Sequence, residues 1–472
     1  MREFRPDEMA AAIKQSRELL PLALDALCAV ITEVTSQVPN RAQVEYVSLF
    51  WLMQICDKVV ATSESTTQPI SVAVESVGLG VQSNRSRVFQ ALSSPRAAIA
   101  IVDPYLKVGF GQELAAVLRV RKNLRWGHVN GSLPLVGTLN AQARLAVAQR
   151  VTSSTSLFER LQRTVALTAP IELVEQYQSL GEWAQNASTG TLRLLYTANA
   201  HQSSAFFRYL AWAQRQRGTK IAIHQHGGGY GIDEQHLGED HDIAVSDVFY
   251  TFGWQRPDLG RRVRSLPTAM PERAKKSELG GYLLVSLPIF KRFYRLQAFL
   301  MPAHIEHAVK ETISFVNELD ADTDLCVRSS GADEFPVSRL VGAQAKITHD
   351  TGSSRGSVAA SRAKLTIHNY LGTSWLETLA MDIPTVCFYD PTMYRLRAAA
   401  QPFVDALVRV GVVHYSGREA AKFVNSLHGD PSSWWGSSEV QEAREAFVAR
   451  YANFSDNWLD AWQAEFDSLL AE

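Results

Sequence analysis

An apolar run, Ile221-Ala222-Ile223, ends in His224-Gln225-His226 and then in Gly227, Gly228, Gly229, Tyr230 and Gly231. This order reads as a buried strand that stops at its carboxyl end, followed by a loop free to adopt positive φ. No other stretch restricts the fold as much. A strand opening into glycines at its carboxyl end belongs in an open α/β sheet, where ligands collect along that edge and can approach the backbone closely. Downstream stand His236, Glu239, Asp240, His241 and Asp242, then a second apolar segment that carries Ser246-Asp247 and ends in Phe252-Gly253-Trp254. Imidazoles and carboxylates gathered around such a loop point to a functional site. The plainer alternative is a glycine-rich turn with solvated charges.

The flanking pattern supports an α/β fold. Residues 191–202 read as a strand opening into a polar loop with Asn199 and His201, and 205–218 as a helix closed by Gly218. Strand, helix and next strand form a βαβ unit with a parallel pair. The segment 256–281, rich in Pro, Gly and charge, has the composition of a linker. Beyond it, 282–288 is a strand, 301–319 a helix, 324–330 a strand, and 364–391 a second βαβ unit. A chain of 472 residues exceeds one ordinary core. We therefore expect two Rossmann-like domains facing a cleft, with helical additions at both ends. The boundaries are 1–265 for the first domain and 266–440 for the second. A helix over 441–472 is expected to pack back on the body.

The remaining segments add less. Residues 8–36 and 44–62 have helical spacing, with Pro21 kinking or restarting the first; Asp57-Lys58 reads as a solvated helix end. Residues 97–106 form a strand ending in Asp103-Pro104. A helix over 114–126 carries Arg119, Arg121, Lys122 and Arg125, a solvated face or a dock for an anionic acceptor or membrane surface.

A net charge of −1 argues against a general nucleic-acid binder. The four cysteines are scattered, without zinc spacing, as in a reduced cytosolic protein. The first residues lack a secretory apolar region, and no run of about 18 apolar residues occurs. The expectation is a cytoplasmic protein, at most peripheral to the inner face of the cytoplasmic membrane.

Loop 369–374, beginning at Asn369, feeds directly into a helix. Thr373 and Ser374 are natural N-cap hydroxyls, and the unpaired amides behind them suit a nucleotide phosphate. Glu377 is placed to accept from ribose hydroxyls, or simply to favour the helix start. Arg328 and Ser286, at the ends of strands in the same half, complete a possible donor site. A dinucleotide GxGxxG and a Walker A are absent. The GxSxG match at 352–356 and the upstream HGGG fall in different halves, which disfavours a serine hydrolase. Asp240-His241-Asp242 is a literal DxD, read as coincidence, and the histidine spacings fit no metal motif.

The run LLYTANAHQ…QHGGGYG…GEDHDIAVSDVFYTFGW, with NYLGTSWLETLAMDIPTVCF, resembles a family of bacterial surface-carbohydrate transferases. That family is distantly similar to retaining β-Kdo glycosyltransferases of GT-B fold. The resemblance implies a glycosyltransferase moving a sugar, such as Kdo or a related ulosonic acid from a CMP donor, onto a bacterial surface glycan. It implies a nucleotide-sugar co-substrate, a glycan or lipid-linked acceptor, and no metal or further cofactor. On the same basis Asp247 or Glu175 attacks the anomeric carbon, and His226 or His241 orients or protonates a neighbouring group. Rival readings are a nucleotide-sugar epimerase of the same architecture and a non-catalytic nucleotide- or carbohydrate-binding module.

Overall fold

The computed structural model describes residues 6–62, 99–104, 125–127, 138–150, 156–187, 192–274, 280–287, 289, 302–329, 347–350, 352 and 354–472. The basic residues Arg119, Arg121 and Lys122, and Ser353 of the GxSxG match, lie outside them. Six described strands form the first sheet: β1 (Ile99–Val102), β2 (Arg125–Gly127), β3 (Leu194–Thr197), β4 (Lys220–His224), β5 (Val248–Thr251) and β6 (Val263–Ser265). They lie in the order β2-β1-β3-β4-β5-β6, all parallel. A short strand, β7 (Thr268–Ala269), leaves this sheet. The second comprises β8 (Gly280–Val285), β9 (Leu325–Arg328), β10 (Ile347–Asp350), β11 (Ala363–His368), β12 (Thr385–Phe388) and β13 (Val413–His414). Its order is β10-β9-β8-β11-β12-β13, again parallel. The direction of progression reverses between β8 and β11, which makes that pair the switch point where a doubly wound sheet opens a crevice.

Alternation along the strands assigns the two faces of the first sheet. Ala100, Val102, Leu195, Ile221, Ile223 and Phe249 join a large core with the helices Leu20–Thr35, Arg41–Thr62 and Ala205–Arg215. Ile99, Ile101, Leu194, Tyr196, Ala222, Val248 and Tyr250 point the other way, onto Trp458, Trp462, Phe466 and Leu469 of the helix Trp458–Ala471. Burial on both faces explains why these strands read as unbroken apolar runs. In the second sheet, Leu284, Val327, Ile367 and Phe388 pack on helices Pro302–Glu318 and Gly417–Ser426. Helix Thr373–Ala380 lies elsewhere, with Trp375 against Phe447 of helix Ser438–Tyr451.

The chain leaves the first sheet through β7 and returns from the second through β14 (Phe454–Ser455). These two strands pair in parallel, Phe454 opposite Thr268 and Ser455 opposite Ala269.

Two local expectations are corrected. Residues 125–127 are strand rather than helix, and Arg125 starts β2. Asp57 is not solvated: its carboxylate is fully buried and accepts from Ser16 Oγ at 2.5 Å and Arg17 at 2.9 Å. Helix Pro6–Glu18 supplies the donors that this buried charge requires. The helical reading of 8–36 holds with a break at Leu19, just before Pro21 at the start of the next helix.

Trp462 is fully buried against Tyr196, Trp458 and Phe466, and its Nε1 donates to Pro267 O at 2.6 Å. Trp462→Ala is expected to cost about 3–5 kcal/mol, read as a lowered urea midpoint, because a large cavity and an orphaned carbonyl remain.

Candidate functional site: a crevice between two carboxyl edges

The carboxyl edges of the two sheets meet. Gln225, directly after β4, is nearly inaccessible and ties the edge together. Its Oε1 accepts from Phe252 N at 2.9 Å and Trp254 Nε1 at 2.8 Å, and its Nε2 donates to Gly227 O at 2.8 Å. The glycine loop then runs to the second sheet, where Gly228 N donates to Thr373 Oγ1 at 2.8 Å. A Cβ on Gly228 would stand 2.6 Å from Gly372 C and 2.7 Å from Thr373 N, so only glycine allows this approach. Gly229 and Gly231 have φ of 91° and 70°, and a Cβ on Gly231 would enter the Trp254 ring.

The fastening continues through the loop after β12. Asp233 pairs with Leu396, Glu234 N donates to Arg395 O, Arg397 N donates to Ile232 O, and Tyr394 Oη donates to Asp233 Oδ1. Glu239 is completely buried; it accepts from Gly231 N at 2.7 Å and lies 2.9 Å from Arg397. Its carboxylate therefore works as an internal tie between the glycine loop and the second half.

Helix Thr373–Ala380 begins at this contact. Its N-cap is Gly372, with no side-chain cap, so the expected capping by Thr373 and Ser374 is corrected: both lie inside the first turn. Among the described residues no carbonyl or side chain accepts from the amides of Thr373, Ser374 or Trp375. Together with the helix dipole, these amides make an anion site. Thr378 Oγ1 donates to Trp375 O, so it must accept from His368 Nε2 at 3.2 Å. His368 Nδ1 then accepts from Ser374 Oγ at 3.3 Å, and burial holds this imidazole neutral, its pKa down to about 3. Ser374 thus offers lone pairs outward, and anion binding here falls to the backbone. Glu377 is half-buried and its carboxylate has no hydrogen-bond partner among the described residues; loss of solvent raises its pKa to about 7, against the pull of Arg355.

On the glycine-loop side, Asp242 collects three donors. Tyr230 Oη lies 2.9 Å and Gln202 Nε2 2.8 Å from its Oδ2, and His241 Nδ1 is 2.9 Å from its Oδ1. His226, half-buried at the loop, places Nδ1 3.4 Å from Tyr230 Oη. His241 and His201 are sealed inside, ring centroids 5.0 Å apart, behind Phe50 and Tyr46 of helix Arg41–Thr62. Burial, then the neighbouring His241, drives the His201 pKa well down. Asn199 stands half-buried beside Asp103 O at the same edge. Asp103, the residue after β1, has a φ of 42°, a conformation rare outside glycine.

Other expected site residues lie apart from this cluster. Asp247 precedes β5 and so stands at the amino edge of the sheet, about 13 Å of strand from the carboxyl edge. Its carboxylate is taken up by Arg215 at 2.9 Å and Ile221 N at 2.8 Å, as a strand-end clamp. Glu175 is buried among helices, gripped by Arg144 through both oxygens and by Asn140 N, and the Arg144 and Asn140 bonds outweigh desolvation and lower its pKa. Arg328 pairs with Asp350 and donates to Ser354 O. Asn369 bridges Leu287 N and Thr312 Oγ1, and Ser286 is buried with its amide on Arg328 O, so both shape the switch point. Beside them opens a recess of about 570 Å³ counted to its mouth. Phe388, Tyr389 and Tyr394 give it aromatic walls, and His307, Glu311 and Asp390 line it with polar groups, His307 lying 2.5 Å from Asp390. The described residues contain no cluster of three or more His, Cys, Asp or Glu able to hold a metal.

Two parallel α/β sheets meet at their carboxyl edges with an uncapped helix start between them, a GT-B-like arrangement. The chain belongs to the LIC12162 family transferases, whose family model matches residues 52–466. It is a transferase. A comparison with curated proteins found no match. Solved structures similar to this chain include the spinosyn rhamnosyltransferase SpnG complexed with spinosyn aglycone, at 9% identity and TM-score 0.40 over 78% of this chain and 100% of that one. The spinosyn forosaminyltransferase SpnP matches at 11% identity and TM-score 0.39, over 80% of this chain and 100% of its own.

Gly228→Ala forces backbone against backbone where the halves meet. We expect a loss of about 1–3 kcal/mol by denaturant unfolding, with turnover falling further than stability explains. For Glu377, a folded pKa above the ordinary 4.5 means that the native state binds the proton more tightly. Its stabilising effect is complete below 4.5 and disappears as pH rises through about 7. Glu377→Gln should flatten the fall in melting temperature between pH 4.5 and 7 seen for the parent protein.

Proposed function

We propose that this transferase is a glycosyltransferase taking a nucleotide-sugar donor at the second sheet and a glycan or lipid-linked glycan acceptor at the first. The observation that carries the reading is the free helix start Thr373–Trp375 abutted by the glycine loop of the opposite sheet. Amides there stabilise the charge of a departing nucleotide phosphate without a cation. Glu377 receives ribose hydroxyls, and the aromatic, carboxylate-bearing recess at 287–394 suits the sugar. His226 stands where an acceptor hydroxyl would enter and takes its proton as the oxygen attacks. Asp103 is the carboxylate we place at the reacting edge, in place of Asp247 and Glu175. The sequence resemblance supports a CMP-activated ulosonic acid such as Kdo and a bacterial surface glycan. We place the protein in the cytoplasm, at most peripheral to the membrane; no described helix is long and apolar enough to cross one.

A thermal-shift screen of CMP, UDP, GDP and their sugars tests this directly. We expect one nucleotide to raise the melting temperature, and Glu377→Ala to weaken it by about 1 kcal/mol or more. We expect sugar transfer, with acceptor present, to persist in EDTA. Absence of any nucleotide response overturns the reading, and an epimerised sugar formed without acceptor replaces it with an epimerase.

A further inference from the structure

We infer that Tyr230 and Asp242 are positioning residues that fix His226 in its Nδ1–H form, leaving Nε2 as the basic nitrogen at the crevice. The hydrogens around Asp242 decide the tautomer. Asp242 is nearly inaccessible, and three groups direct hydrogens at it: Tyr230 Oη, Gln202 Nε2 and His241 Nδ1. A carboxylate that faces three donors accepts from each and supplies no hydrogen itself. The single Tyr230 proton therefore goes to Asp242. What Tyr230 Oη then offers His226 is a lone pair, so the hydrogen in the 3.4 Å contact belongs to His226 Nδ1.

The surroundings hold this polarity in place. Gln202 Nε2 also lies 3.1 Å from Tyr230 Oη and can only donate to it. The Tyr230 ring stacks on Phe249 and lies 4.1 Å, centroid to centroid, from His236. Gly238 leaves the space, since a Cβ there would come within 2.9 Å of the hydroxyl. A free imidazole favours the other tautomer, so the arrangement selects a form that His226 would not adopt unaided.

The catalytic consequence rests on the glycosyltransferase reading; the tautomer does not. In transfer, the acceptor O–H proton passes to His226 Nε2 while the acceptor oxygen bonds to the anomeric carbon. The bond from that carbon to the nucleotide oxygen breaks, and its electron pair leaves with the phosphate. The imidazolium so formed keeps its Nδ1–H on Tyr230, whose dipole is set by the Asp242 charge.

Histidine-selective 15N labelling with two-bond 15N–1H correlation reads the tautomer of the whole protein without substrate, and His226→Asn identifies the signals. We expect wild-type His226 to carry its neutral-form proton on Nδ1. Asp242→Asn lets an amide donate to Tyr230 Oη and turns the tyrosine proton toward His226, so the proton should move to Nε2. Tyr230→Phe should give the same change by removing the acceptor. A wild-type His226 protonated on Nε2 overturns the inference without any variant, as does an unchanged tautomer in both substitutions. Under the glycosyltransferase reading, Tyr230→Phe lowers kcat at least tenfold with donor KM unchanged. A His226→Asn enzyme at full turnover, with the tautomer as expected, overturns the base role and leaves the positioning intact.

Discussion

The contact between Gly228 and the Gly372-Thr373 backbone is the constraint around which the rest is arranged. Two sheets can meet at their carboxyl edges only if something small enough occupies the line of meeting, and a residue with no side chain is the answer found here. Once the loop is drawn that close, its own polar groups need partners away from water. Gln225 and Glu239 supply them from the interior, one bonding across to Phe252 and Trp254 just after β5 and the other reaching through Arg397 toward the second half. The Gly231 amide on one Glu239 oxygen and Arg397 beside the other are the partners that a buried carboxylate requires. The acidic stretch beside the glycines thus serves architecture first, and only Asp242 within it connects, through Tyr230, to the half-buried His226.

The chemistry of the crevice divides between backbone and side chains. At the second sheet the hydroxyl of Ser374 is turned inward to His368, so the groups left facing an anion are main-chain amides. On the first, an imidazole is held by a tyrosine and a buried carboxylate. One side is suited to receiving negative charge and the other to removing a proton.

Much of this was legible in the chain. Periodicity marked the strand-helix-strand units, and the glycine run marked the edge, because both are local signals. The switch-point loop at 369–374 was visible for the same reason. What failed depended on direction or on distant partners. Ser246-Asp247 lies next to the glycine loop in sequence, yet a strand must be traversed to get from one edge to the other, and Asp247 is on the far side. Asp57 looked solvated because its partners, Ser16 and Arg17, come from another helix. Glu175 was chosen by resemblance, and Arg144 claims it. Tyr230 passed as one more loop residue; its position inside HGGGYG, four residues from His226, was the available clue.

The final described helix has a consequence for how the protein is made. Every described strand of the first sheet has been synthesised by residue 265, but Trp458, Trp462 and Phe466, which pack on its second face, emerge only after the described strands of the second sheet. Until then Ile99, Tyr196 and Tyr250 present a broad apolar surface on a growing chain. The first half therefore cannot complete its core in the order in which it leaves the ribosome, and shielding that surface during translation falls to whatever meets the nascent chain.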